Sequence, residues 1–142
     1  MATLNPYLNF NGNTEAVFNF YKSVFGGEFA SLQRIRDIPG GGQTAEADLD
    51  KIMHISLPVG NGSVLMGSDV VESMQDRARA GSNFYISINA DSKAEADRLF
   101  SGLSSGGVVE MPIQDAFWGS YFGMLEDRFG IHWMVSFAHP QP

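Results

Sequence analysis

Apolar and polar side chains alternate over residues 5–11, with Leu8 and Phe10 on one side and Tyr7, Asn9 and Asn11 on the other. A period of two is that of a half-buried strand. The period then changes. Val17, Phe20, Tyr21 and Val24 recur at helical spacing, Asn13 or Thr14 stands where a cap is needed, and Gly26-Gly27 ends the run. Residues 28–36 predict a second strand, and Pro39 to Asp50, with Gly40-Gly41-Gly42, a flexible loop. Lys51 to Pro58 predicts a third strand, Val59-Gly60-Asn61-Gly62 a hairpin turn, and Ser63 to Ser68 a fourth strand.

The same pattern then returns. Tyr85-Ile86-Ser87-Ile88-Asn89 follows Tyr7-Leu8-Asn9-Phe10-Asn11 at an offset of 78 (85 minus 7), and without a gap Ala16 falls on Ala94 and Ser23 on Ser101. A polar linker, 70–81, separates module one (1–69) from module two (82–142). The second copy opens with a strand at Asn83 to Asn89. Ser92 and Glu95 form a capping box, and Ala96, Leu99, Phe100 and Leu103 give the buried stripe of a helix. Strands are expected near 107–113, 119–126 and 131–137. Each copy is therefore βαβββ. Neither could bury both faces of its sheet alone, so one α+β domain is expected, two tandem modules forming a curved, mainly antiparallel sheet around a cleft. Clefts of this kind bind small molecules.

Composition narrows the partners. The chain has 142 residues, 44% of them hydrophobic and 18% charged, enough for one core. Its net charge is −7 and its nine basic residues are scattered, so it lacks the concentrated positive surface that nucleic-acid binding needs. No apolar run is long enough to span a bilayer, and Met1 to Asn11 does not read as a secretory signal. There is no cysteine, which removes disulfides and thiolate chemistry and fits a cytoplasmic protein. No phosphate-binding glycine loop, nucleophile elbow or zinc-binding helix motif is present.

Several segments carry a family likeness: Tyr7-Leu8-Asn9-Phe10-Asn11-Gly12, Glu15-Ala16, Phe20-Tyr21 with Val24-Phe25-Gly26-Gly27, Met53-His54-Ile55-Ser56-Leu57, Leu65-Met66-Gly67-Ser68-Asp69, Phe117-Trp118-Gly119 and Asp127 to Trp133. In this order they resemble the vicinal oxygen chelate superfamily of glyoxalase I, bleomycin resistance proteins and extradiol dioxygenases. The likeness is greatest to its PhnB-like branch, whose members often carry a demethylubiquinone methyltransferase label. A methyltransferase would need a nucleotide-binding parallel sheet, and the strand-helix alternation for one is missing here. The resemblance implies a glyoxalase-like fold, a homodimer and a ligand cleft in each half-barrel. Metal-dependent relatives use His, Glu, His and Glu on the first and last strands of the copies. Carried onto this chain, the first-strand positions fall at or near Asn5 and Asn83 and the last-strand positions at Met66 and Met134. Amides are poor ligands for zinc or nickel and thioethers prefer softer ions such as copper(I), so this departure from the family's pattern leads to the expectation of no metal and no cofactor.

The candidate ligand-binding residues are Tyr7, Asn9, His54, Met66, Tyr85, Trp118, Tyr121, His132 and Met134. His54 is the best catalytic candidate, since Met53, Ile55 and Leu57 form the apolar face of its strand and leave His54 and Ser56 on the other. His132 and Met134 share a face opposite Trp133, Val135 and Phe137, while His139 reads as solvated. Tyr7, Asn9, Tyr85 and Ser87 form the polar faces of the first strands, and Phe117-Trp118-Gly119 with Tyr121 and Phe122 offers an aromatic wall. The leading expectation is metal-independent binding of a small organic molecule. The alternative is a metal-dependent lyase, isomerase or dioxygenase with a displaced site, in which Asp69, Asp115 or Glu110 would join the histidines.

Overall fold

In the first strand, β1 (Tyr7–Phe10), Leu8 and Phe10 are buried while Tyr7 and Asn9 are exposed, as the alternation predicts. The structure is a computed structural model and describes residues 2–39 and 45–138; Gly40-Gly41-Gly42 and His139 lie outside them. After β1 come α1 (Thr14–Phe25), β2 (Ser31–Arg34), β3 (Ile52–Pro58) and β4 (Val64–Asp69). Then follow β5 (Ile86–Asn89), α2 (Lys93–Ser104), β6 (Val108–Asp115), β7 (Ser120–Glu126) and β8 (His132–Ala138). They form two four-stranded sheets, ordered β1-β4-β3-β2 and β5-β8-β7-β6. In both, the first and last strands of the copy run parallel and the other pairs antiparallel. The duplicated βαβββ is thus real, with one sheet to each copy. The chain divides into two units between Arg79 and Ala80.

In the first unit α1 buries Val17, Phe18, Tyr21 and Val24 on the side of Leu8, Ile55, Leu57 and Leu65. The helix is rotated from the expected stripe. Phe18 is fully buried, and Phe20, expected inside, is half-buried. The cause is Gly67: a methyl group there would lie 2.7 Å from Phe18 Cε1 and 2.9 Å from the Leu8 carbonyl oxygen, so only glycine leaves the ring its seat. Gly67→Ala is accordingly expected to lower stability by about 2 kcal/mol through overpacking. Urea unfolding checks this as a lower midpoint at unchanged slope, and adding Phe18→Leu should restore part of the loss.

The helix start differs too. Asn13 occupies the cap position but makes no side-chain cap bond. The cap comes instead from Asp69 at the end of β4, whose Oδ1 accepts from the N–H groups of Gly12 and Thr14 at 3.0 Å each and from Thr14 Oγ1 at 2.6 Å. A carboxylate at that end also opposes the positive pole of the helix. The other oxygen, Oδ2, accepts from Ile52 N–H at 2.8 Å, so one side chain ties β4, α1 and β3 together.

The expected second strand, 28–36, is cut to Ser31–Arg34 and continues as a single 3-10 turn, Ile35–Asp37. Among the described residues the expected loop contains another such turn, Glu46–Asp48, and the linker two short 3-10 turns over Glu72–Arg77, broken by a kink at Met74. A bulge interrupts β3: Gln33 pairs with His54 and Arg34 with Ile52, so Met53 is the extra residue. Ile52 therefore takes the buried place expected of Met53, which is only half-buried. The hairpin at Val59 to Gly62 forms as expected, closed by Ser63 N–H to the Gly60 carbonyl at 2.9 Å.

In the second unit α2 buries Ala96, Leu99, Phe100 and Leu103, the predicted stripe, and Leu125, Trp133 and Val135 are almost wholly buried with them. Ser92 Oγ accepts from Glu95 N–H at 3.0 Å as a capping box requires, but the Glu95 carboxylate turns back to Asp91 N–H at 2.8 Å rather than to Ser92. Asp127 closes the β7–β8 turn: Oδ1 accepts from Phe129 and Ile131 N–H at 2.8 and 3.1 Å, and Oδ2 from the Trp133 indole N–H at 2.9 Å.

Candidate functional site

Each sheet packs one face under its helix, and the alternate residues of every strand are left for the other face. On the first sheet this open face carries Tyr7 opposite Met66, Met66 opposite Ser56, and Ser56 opposite Ser31. Beside them Asn9 pairs with Ser68 and Gln33 with His54. The Tyr7 and His54 rings lie 5.8 Å apart and tilted by 30°. Ser68 Oγ donates to Asn9 Oδ1 at 3.2 Å, and the Ser31 and Ser56 hydroxyls meet at 3.1 Å. All of these side chains are uncharged or, for His54, titratable. Asn5, the expected first-strand ligand position, uses its Oδ1 to accept Val64 N–H at 3.0 Å. Asp69 is occupied by its four donors. A surface pocket of about 230 Å³ opens at the β2 edge, lined by Gln33, Arg34, Asp37, Ile38, Pro39 and Met53. Neither Tyr7, His54 nor Met66 lines it, so shape and chemistry do not coincide there.

On the second sheet the open face carries Ser87 opposite Met134 and Met134 opposite Met124, then Asn89 opposite Ser136 and Ser136 opposite Phe122. One step the other way, His132 lies opposite Glu126, and its ring meets that of Tyr85 edge-on at 5.2 Å. Glu110 joins them. Its Oε2 accepts from the Tyr85 hydroxyl at 3.2 Å and its Oε1 lies 3.4 Å from His132 Nδ1. Burial, then the Glu110 hydrogen bond and the Glu110 and Glu126 charges, push the Tyr85 phenol above its ordinary pKa.

Val108 pairs with Glu126 and Val109 with Leu125, so alternation puts Glu110 on the open face with Val108; a bulge then brings Met111 opposite Met124 onto the same face. Sequence reasoning weighed Glu110 only as a metal carboxylate. Pro112, which cannot sit in a regular ladder, falls in a second irregularity of β6, between Met111 and Gln114.

The register also corrects one correspondence. Tyr7 stands beside Met66 and Ser87 beside Met134; the offset of 78 maps Asn9, not Tyr7, onto Ser87. The counterpart of Met66 is therefore His132, two residues before the expected Met134. Among the described residues no three His, Asp or Glu side chains converge as a metal-holding group.

Of the aromatic wall, Trp118 stands half exposed in the β6–β7 turn, edge-on to Phe122 at 5.4 Å, and Phe117 is almost fully exposed. Tyr121 departs from the set. It lies on the helix side of β7, its hydroxyl bonded to Asp97 Oδ1 at 2.5 Å and its ring 4.6 Å under Lys93 Nζ. Its alternation with Phe122 sends it away from Met134 and His132.

The family model described as 3-demethylubiquinone-9 3-methyltransferase matches residues 2–136. Among solved structures, protein PA1353 from Pseudomonas aeruginosa is 40% identical, with a TM-score of 0.86 over 99% of this chain and 100% of that one. A PhnB protein from Bacillus cereus is 24% identical, with a TM-score of 0.72 over 96% of this chain and 100% of that one. A glyoxylase/bleomycin resistance protein/dioxygenase domain from Frankia sp. EAN1pec shares 13% identity but a TM-score of 0.67 over 98% of each chain, a likeness of fold. Strand order, duplication and these matches agree: the fold is that of glyoxalase/bleomycin resistance/dioxygenase proteins, and the chain belongs to the family described as 3-demethylubiquinone-9 3-methyltransferase.

Proposed function

We propose that the protein binds a small organic molecule, without a metal ion, on the open face of the second sheet. The observation that carries this is the joined Tyr85, Glu110 and His132 group beside Met124, Met134 and Phe122. A few convergent polar groups on an apolar lining are the usual composition of a binding site. Soft methionines adapt to an irregular ligand. The first sheet offers a second surface in Tyr7, Asn9, His54 and Met66, with His54 fixing the ligand's polar part. The family's description names methyl transfer. Binding is preferred because each sheet has a single helix and a single parallel strand pair, without the doubly wound parallel sheet that carries nucleotide cofactors. A homodimer and a cytoplasmic setting belong to the same proposal, on the family likeness and the absence of cysteine; among the described residues no helix is long and apolar enough to cross a membrane.

A second possibility, a metal-dependent lyase, isomerase or dioxygenase, is favoured by the approach of His132 to Glu110. Native mass spectrometry and elemental analysis of protein purified without added ions separate the two. A co-purifying organic molecule without stoichiometric metal is expected, with occupancy falling about tenfold, about 1.4 kcal/mol, in His132→Ala. Stoichiometric metal lost in the same variant would establish the second possibility instead. Loss in His54→Ala alone would move the site to the first sheet.

A further inference from the structure

We infer that Glu110 orients His132 so that the imidazole Nε2 accepts a hydrogen bond from the ligand, and that the ligand is an aromatic phenol or amine rather than a carboxylate or phosphate. This rests on the proposed binding face. A carboxylate can only accept, so the proton between Glu110 Oε1 and His132 Nδ1 belongs to the histidine. In that tautomer Nε2 keeps its lone pair, the arrangement by which a second group orients a histidine.

Burial makes this geometry consequential. The His132 side chain is 9% exposed, yet among the described residues its Nε2 has no hydrogen-bond partner. No fully buried side-chain nitrogen or oxygen among those residues lacks a partner, so Nε2 reaches the surface. Glu110 is itself held from the other side by the Tyr85 hydroxyl. An acceptor is thus presented by a ring with little freedom to turn.

The surrounding charges select the donor. Glu110 and Glu126 flank His132, and β5, β6, β7 and β8 contain neither lysine nor arginine. An anionic ligand group would meet two carboxylates with no fixed cation to offset them. A hydroxyl or ammonium meets a lone pair and a favourable field. Met124, Met134 and Phe122 supply the polarisable surface that an aromatic ring packs against.

The test uses the intact protein and three probes of matched size, para-fluorophenol, para-fluorobenzylamine and para-fluorobenzoate, followed by fluorine NMR. The phenol and the amine are expected to bind at least about tenfold more tightly than the benzoate, and to lose about tenfold in His132→Ala. Heteronuclear NMR of histidine-labelled protein is expected to show His132 protonated at Nδ1, and to show mixed tautomers in Glu110→Gln, a readout that a merely structural Glu110 would not move. Glu110→Gln alters an exposed strand and should leave the fold intact by circular dichroism. Benzoate binding as tightly as the others, and lost in His132→Ala, would overturn the ligand class and leave the binding face standing. Probes indifferent to His132→Ala, or no binding at all, would remove both. A proton on Nε2 of the wild-type ring would overturn the orientation.

Discussion

Asp69→Asn should lower the stability of the protein by about 3 kcal/mol, and Asp69→Ala by about 4, since each leaves buried donors without an acceptor. The asparagine keeps one oxygen for Gly12, Thr14 N–H and Thr14 Oγ1, but its amide nitrogen then faces Ile52 N–H, donor against donor. Ile52 is 1% exposed, so water cannot take over. The alanine orphans all four donors and removes the carboxylate from the start of α1. Against a typical total of about 5–15 kcal/mol this is a large share. Urea unfolding followed by circular dichroism measures it. Hydrogen exchange should show the loss of protection centred on the start of α1 and on β3. A change below about 0.5 kcal/mol for Asp69→Ala, the range of ordinary surface substitutions, would mean that the carboxylate does not hold these elements together.

Trp133→Ala is expected to cost about 4 kcal/mol, as deletion of a buried indole usually does. Trp133 is 1% exposed on the face of β8 that packs with Leu125 and Val135. Its indole N–H also donates to Asp127, which accepts from Phe129 and Ile131 as well. Trp133→Phe separates the two contributions: the ring stays, the hydrogen bond goes, and about 1–2 kcal/mol should be lost. The same denaturation series reads both, and equal losses for the two variants would show that packing of the indole counts for little. Fluorescence gives a second check. The only other tryptophan, Trp118, is half exposed, so both variants should lose the blue-shifted part of the emission.

Much of the architecture was legible because it is local. The alternation in β1, the stripe of α2 and the hairpin at Val59 to Gly62 each depend on residues within a few positions of one another. The repeat then gave the second copy from the first. What was illegible is non-local. Asn13 looks like a cap, but the acceptor is Asp69, which arrives 55 residues later along the chain. Met53 looks inward until the bulge opposite Gln33 and Arg34 shifts the phase and brings Ile52 in. Phe20 fits the helical spacing, yet the space left by Gly67 belongs to Phe18. The candidate site divides the same way. Tyr85, His132 and Met134 follow from strand parity. Glu110 follows from parity with Val108, but Met111 does not, because the bulge after Val109 brings it onto the face of Met124. Tyr121 was grouped by its nearness to Trp118 in sequence, whereas adjacent strand residues point to opposite sides.

The parallel pairing of β1 with β4, and of β5 with β8, also governs how the polypeptide comes together during synthesis. Each copy is a ring of elements whose two ends are neighbours, so its first strand stays without a hydrogen-bonding neighbour until its last strand has left the ribosome. Closure over so long a span makes folding slow compared with a helical bundle, and for that interval the growing chain offers a nascent strand to any other that passes. Asn9 and Asn11, Ser87 and Asn89 interrupt those waiting strands with side chains poorly suited to sticking, a safeguard for the unfinished chain written into the same positions that later face outward.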